Sequence, residues 1–215
     1  MSIPRLLDHI VIAGPDLPAL VDWFAQRTGV TAAYGGAHPT GTANALVALT
    51  VAGERGPQYI ELIGPDPDRA EAAPPTTFAI DTLSEPRVQT YAVHPSDIDA
   101  TVAGARARGF DPGDVWELSR RTPSGEMLEW RLTGAATDRL DVPFLIDWGA
   151  TAQPGTGELP AIELVSFVRE EPEPAALSHA LAALDLGDGV AELVVGPQAR
   201  YRLELRRADG GVIEF

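Results

Sequence analysis

The chain has 215 residues, 45% of them hydrophobic, enough to bury a sizeable core in one large domain or two small ones. Sixteen basic against thirty-one acidic residues give a net charge of −15, which argues against nucleic-acid backbones and anionic membrane surfaces as partners. There is no Cys, which removes disulfides, thiolate catalysis and zinc-thiolate sites, and no Lys, which removes Schiff-base chemistry, a pyridoxal-phosphate lysine and a P-loop lysine. No organic cofactor is predicted.

The first predicted element is a strand at His9-Ile-Val-Ile that ends at Gly-Pro-Asp16, where Asp16 is placed to cap a helix stopping at Gly29. The short apolar run before it lacks the length of a signal segment, so a cytoplasmic location is expected. A turn-rich hairpin around Tyr34-Gly-Gly-Ala-His38-Pro-Thr-Gly follows, and then β-rich runs closing on Tyr59-Ile-Glu61-Leu.

The same series then recurs. Thr90-Tyr-Ala-Val-His-Pro-Ser-Asp97 lays on His9 to Asp16 without a gap, the second helix stops at Gly109, and Met127-Leu-Glu129-Trp is read as the closing strand. The first copy is longer by about 13 residues, assigned to the hairpin around His38. A third copy runs from Ser166 through a helix stopping at Gly187 to Val212-Ile-Glu214. Phe78-Ala-Ile-Asp81 and Phe144-Leu-Ile-Asp147 are each predicted to be short strands. The expected organisation is a first module at 1–65, a connector at 66–86, and a second module at 87–133. A connector with a short strand at 134–160 and a third, partial module at 161–215 complete it.

A strand-helix-three-strand unit in tandem, with His on the first strand and Glu on the last, resembles the vicinal-oxygen-chelate superfamily and, within it, the glyoxalase-like domain proteins. The motifs are Leu7-Asp-His-Ile-Val-Ile, Gly36-Ala-His-Pro-Thr-Gly-Thr-Ala-Asn44-Ala-Leu, Tyr59-Ile-Glu-Leu-Ile and Val142-Pro-Phe-Leu-Ile-Asp-Trp148-Gly. The resemblance implies an α+β fold in which tandem βαβββ modules form an open mixed β-barrel with helices outside. It also implies a divalent metal held by the first and last strands, at the places of His9, Glu61, Thr90 and Glu129. Thr90 stands where a metal-binding member has His, and a hydroxyl is a poor ligand for such an ion.

His9, Glu61 and Glu129 are thus the expected ligands of Zn, Mn, Ni, Fe or Mg, with Glu61 and Glu129 as proton-shuttling catalytic groups. Strand alternation puts Arg131 on the face of Glu129, and one of Arg120 and Arg121 on the cup side, where a guanidinium suits an anionic substrate group. His38, Asn44 and Thr90 are further substrate-binding candidates, and Trp23 and Trp148 are candidate pocket walls. His94 and His179 are read as structural and solvent-facing. The expected activity is that of a metal-dependent lyase or isomerase acting on a small oxygenated, anionic metabolite. The alternative is a non-catalytic protein of the same fold that sequesters a small ligand without metal. The odd third module is expected to cap the barrel or to build a homodimer contact.

Overall fold

The computed structural model describes residues 5–69, 73–134, 139–186 and 190–215. Strand β1 (Leu7–Ala13) leads into helix α1 (Leu17–Thr28). Asp16 Oδ1 accepts the Ala19 amide at 2.8 Å, satisfying one orphan donor of the first turn, and Gly29 closes the helix in the left-handed conformation at φ 78°. Strands β2 (Ala33–Ala37), β3 (Thr42–Val51) and β4 (Glu54–Pro65) follow, and β4 returns to lie parallel to β1, with His9 opposite Tyr59 and Val11 opposite Glu61.

The second unit begins with β5 (Arg87–Val93), paired antiparallel to β1, and helix α2 (Ile98–Ala107), capped by Asp97 at 2.9 Å. Strands β6 (Trp116–Arg121), β7 (Met127–Leu132) and β8 (Phe144–Asp147) complete it. It is β8 that lies parallel to β5, as β4 lies parallel to β1, while β7 sits one strand further out. The closing strand expected at Met127 is therefore the penultimate one.

Two further expectations change. Thr77–Thr82 is a 3-10 turn with Phe78 and Ala79 at positive φ, which a strand at Phe78 to Asp81 would not allow. Helix α3 (Ala175–Leu184) ends at Asp185 in the left-handed conformation, and Gly187 lies outside the described residues.

The C-terminal segment contributes β9 (Ala161–Glu171), α3, β10 (Glu192–Val195), β11 (Arg200–Arg206) and β12 (Val212–Glu214), with β10 rather than the last strand parallel to β9. Strand β9 adds in parallel to β3 at Ala48–Thr50, so these strands extend the barrel sheet and cover an edge that would otherwise be unpaired. The order is β12-β11-β9-β3-β4-β1-β5-β8-β7-β6, mixed in direction; its two end strands do not pair with each other, leaving the barrel open.

Each face of the sheet has its own apolar layer. Ile10, Ile12, Val47, Leu49, Ile60 and Leu62 meet Leu20 and Phe24 of α1, Ile98 and Val102 of α2, and Leu177 and Leu184 of α3. Burying side chains as large as Phe24 contributes about 1.5–3 kcal/mol each. On the other face Val11, Ala13, Ile63, Leu128, Trp130, Phe144, Ile146 and Trp148 form a second layer, and this one is hollowed into a cup. No helix of the described residues is long and apolar enough to cross a membrane.

Candidate functional site

The cup lies between the first unit's β1, β3 and β4 and the β6-β7-β8 strands of the second. Its cavity measures about 140 Å3 and opens to solvent. Period-two alternation decides who enters it. From β4 come Tyr59, Glu61 and Ile63; from β3, Thr42 and Asn44; from β6, Leu118 and Arg120; from β7, Trp130 and Leu132; from β8 and just after it, Phe144, Ile146 and Trp148. His9 forms the floor, His38 and Thr40 come from the hairpin between β2 and β3, and Phe78 from the 3-10 turn.

His9 is 3% exposed and held on every side. A bulge in the pairing of β1 with β5 falls at Asp8, which brings the neighbouring carboxylate round to the imidazole. Asp8 Oδ1 lies 2.7 Å from His9 Nδ1, and its other oxygen accepts the Trp148 indole N–H at 3.0 Å. A carboxylate oxygen accepts, so Nδ1 carries a hydrogen, and in the neutral ring Nε2 presents a lone pair to the cup. Tyr59 stacks on the ring at 4.7 Å and Phe144 meets it edge-on at 5.5 Å. His9 Nε2 faces Glu61 Oε2 at 3.6 Å, too far for a hydrogen bond and close enough for both to touch one ligand atom.

Glu61 is steadied by Asn44, whose Nδ2 donates to Oε1 at 2.6 Å. The same amide nitrogen reaches His38 Nε2 at 3.4 Å, and His38 Nδ1 donates to Thr42 Oγ1 at 2.8 Å, which fixes a neutral tautomer. Burial pushes the His38 pKa down from 6.5 to about 4, with the charge of Glu61 opposing that shift. Arg120, 6% exposed, donates to the Gly35 carbonyl, and burial lowers its pKa from the usual value.

The structure thus brings together His9, Glu61, Asn44, His38 and Arg120, and leaves out three predicted site residues. Glu129 is exposed on the outer face of β7, with Thr151 Oγ1 accepting from its backbone amide. Arg131 shares that outer face, as alternation requires, but pairs with Asp147 at 2.7 Å and Asp99 at 2.9 Å. The inward side of β7 belongs instead to Leu128, Trp130 and Leu132, because Leu118 and Arg120 of β6 stand opposite Trp130 and Leu128. Thr90 is opposite Val11, 1% exposed, and not part of the lining. Trp23, on α1, packs against Phe215 away from the cup.

The second unit's counterpart of Glu61 is Phe144. Thr90 stands where His9 stands in the repeat, Val11 pairs with Glu61, and the equivalent Ala92 pairs with Phe144. One half of the duplicated site is therefore polar and the other a hydroxyl and a phenyl ring. Among the described residues no group of three or more His, Cys, Asp or Glu side chains is placed to hold a metal ion. The set His9, Glu61 and Glu129 does not fit the metal that the resemblance implies.

A family model described as a glyoxalase-like domain matches residues 7–184. The chain belongs to the glyoxalase-like domain family. A search of curated proteins finds no match to this glyoxalase-like chain. Among solved structures, it is similar to a hypothetical protein from Staphylococcus aureus, at 14% identity and a TM-score of 0.59, over 97% of this chain and 84% of that one. It is also similar to methylmalonyl-CoA epimerase from Mycobacterium tuberculosis, at 20% identity and a TM-score of 0.41, over 68% of this chain and 88% of that one. A variant of the Streptomyces coelicolor methylmalonyl-CoA epimerase, in complex with 2-nitronate-propionyl-CoA, gives 23% identity and a TM-score of 0.44, over 68% of this chain and 99% of that one. The likeness to the Staphylococcus aureus protein, at 14% identity, is one of fold alone.

Asp8, Tyr59, Phe78, Phe144 and Trp130 are site residues that sequence reasoning did not single out. The signal for Asp8 was its place beside His9, but only the bulge turns it toward the imidazole. Tyr59 and Phe144 were readable once β4 and β8 are known to pair alike.

Proposed function

We propose that this glyoxalase-like protein is an isomerase or lyase that binds a small carbonyl compound in the cup and moves a proton on it. The observation that carries this reading is the buried His9, with Asp8 behind it at 2.7 Å and Glu61 across a 3.6 Å gap in front. Nε2 takes a proton from the carbon beside the carbonyl, and the bonding electrons pass to the carbonyl oxygen as an enolate. The imidazolium so formed lies between two carboxylates, which stabilise it until it returns the proton to carbon or oxygen. Glu61 is the shuttling partner, and Asn44 holds it in place. The aromatic walls keep water away and strengthen these charges. Metal dependence finds no support in this donor set, with Glu129 turned away from His9 and Glu61.

Wash-in of solvent deuterium at C3 of 2-oxobutanoate and of phenylpyruvate, followed by NMR above the uncatalysed rate, tests the proposal. His9→Gln and Glu61→Gln are each expected to lower the catalysed rate by about 100-fold or more, and Glu129→Ala to leave it unchanged. A wild-type protein that gains thermal stability with these compounds but exchanges no proton would overturn catalysis in favour of ligand sequestration.

A further inference from the structure

Besides its two histidines the cup is lined by one basic side chain, and that side chain is incompletely met. Arg120, 6% exposed, gives Nη1 to the Gly35 carbonyl, while Nε and Nη2 have no acceptor among the described residues. Neither of these two nitrogens is sealed under other atoms, and Arg120 lines the cavity. No carboxylate of the described residues lies within ion-pair distance of it, although the chain carries thirty-one acidic residues. Arg106, Arg131, Arg200 and Arg202, all more exposed, each meet two. Glu61 in the same cup is committed elsewhere, with Oε1 on Asn44 and Oε2 facing His9. A guanidinium withdrawn from water without a counter-charge is destabilising, and a bound anion offsets this.

The free edge has a shape. With Nη1 turned to β2, Nε and Nη2 present two parallel N–H groups on one side of a planar fork, which match the two oxygens of a carboxylate and give a neutral carbonyl only one bond. A phosphate dianion finds one fork for two charges, because the chain has no Lys and no second Arg lines the cup. The fork is also held in place. A Cβ on Gly35 would stand 3.3 Å from Nη2 and one on Gly36 2.9 Å from Nη1, so glycine at both positions lets the guanidinium lie close against β2. Tyr59, Phe78, Phe144, Trp130 and Trp148 wall the same cavity.

We infer that the cup recognises a small carboxylic acid with an apolar body, its two carboxylate oxygens on Nε and Nη2 of Arg120 and its body against the aromatic wall. Joined to the proton transfer proposed above, this makes the substrate class a small oxo acid rather than an aldehyde, a simple ketone or an ester. The carboxylate contact rests on the cup being the ligand site and not on catalysis taking place there.

Calorimetric titration with 3-phenylpropanoate and its isosteric amide, 3-phenylpropanamide, tests the contact without turnover, since neither is a ketone. The acid is expected to bind at least about tenfold more tightly than the amide. In Arg120→Gln that preference should vanish while the amide still binds, and in Arg120→Lys, which keeps the charge and loses the fork, it should fall at least about threefold. Wild-type protein that binds the amide as tightly as the acid, or binds neither, overturns the inference. So does an undiminished preference in either variant, or a folded Arg120→Gln protein that binds neither compound. Should Arg120→Gln not fold, Arg120→Lys decides. Glu61→Gln should lose deuterium exchange and keep the acid preference at the wild-type level or above, because removing a nearby negative charge does not weaken the hold on an anion; a preference lost there overturns the assignment to Arg120. An acid preference that stands in a wild-type protein showing no exchange ends the proton-transfer reading alone.

Discussion

His38 stays neutral because the cup strips its imidazolium of water, and that makes folding pH-dependent. The unfolded chain takes up a proton near pH 6.5 and the folded one only near pH 4, so the unfolded state binds more protons between these values. Stability from this residue is complete above pH 6.5 and falls as pH drops toward 4. The loss is on the order of 2 kcal/mol, kept below the full linkage value because the ring is partly open to solvent. Chemical denaturation at pH 7 and pH 4.5 should show a smaller drop in His38→Gln than in wild type; equal drops would contradict the assignment. At this scale the sequence was half legible. His9, Glu61, Asn44, Arg120 and His38 follow from their strands and hairpin, and all five are in the cup. Glu129 and Arg131 follow from the same logic and face outward. Period two gives two faces but not which one is inside, and a strand such as Met-Leu-Glu-Trp-Arg-Leu can be written either way round.

The element that settles the question is β8. Read from the repeat, β7 closes the second unit, and Glu129 then matches Glu61. Read from the pairing, β8 closes it, and Phe144 takes that place. Four residues between long turn-rich stretches carry too little pattern to be recognised as a closing strand, so this error was built into the length of the element. The β2 strand shows the opposite case, where sequence and structure agree for a reason visible in both. Gly35 and Gly36 permit an unusual path, and the path brings the backbone against β6: Gly36 has φ 133°, and a Cβ there would stand 2.8 Å from the Arg121 carbonyl. Gly35→Ala would press a methyl group on Asn44 Oδ1 and loosen its hold on Glu61. The expected result is a stability loss of about 1–3 kcal/mol together with at least about tenfold slower deuterium wash-in at C3 of 2-oxobutanoate. A wild-type exchange rate in this variant would show that the β2 backbone does not support the cup.

At the scale of the molecule, the duplication and the α+β character were plain in the sequence, because a strand-helix series with Asp caps and glycine stops is a local signal. How the C-terminal segment attaches to the two units before it is not local. The answer lies in β9 pairing with β3 and in a helix-side core that runs without interruption from Leu20 of α1 to Leu203 of β11. Tyr201 ties the C-terminal segment down a second time, donating to the Leu140 and Asp141 carbonyls and stacking on Phe167, which meets Tyr91 of β5 edge-on. A continuous core implies a single cooperative transition. Leu20 and Leu203 are both fully buried, so Leu20→Ala and Leu203→Ala should each remove about 2–5 kcal/mol and lower the melting temperature by roughly 5–15 °C. Tryptophan fluorescence, read in a Trp23→Phe, Trp116→Phe background so that it reports on Trp130 and Trp148 in the cup, should follow far-UV circular dichroism through one shared transition in both variants. If Leu203→Ala lowers the circular dichroism midpoint and leaves the fluorescence midpoint in place, the C-terminal segment unfolds by itself, and the cup does not depend on it.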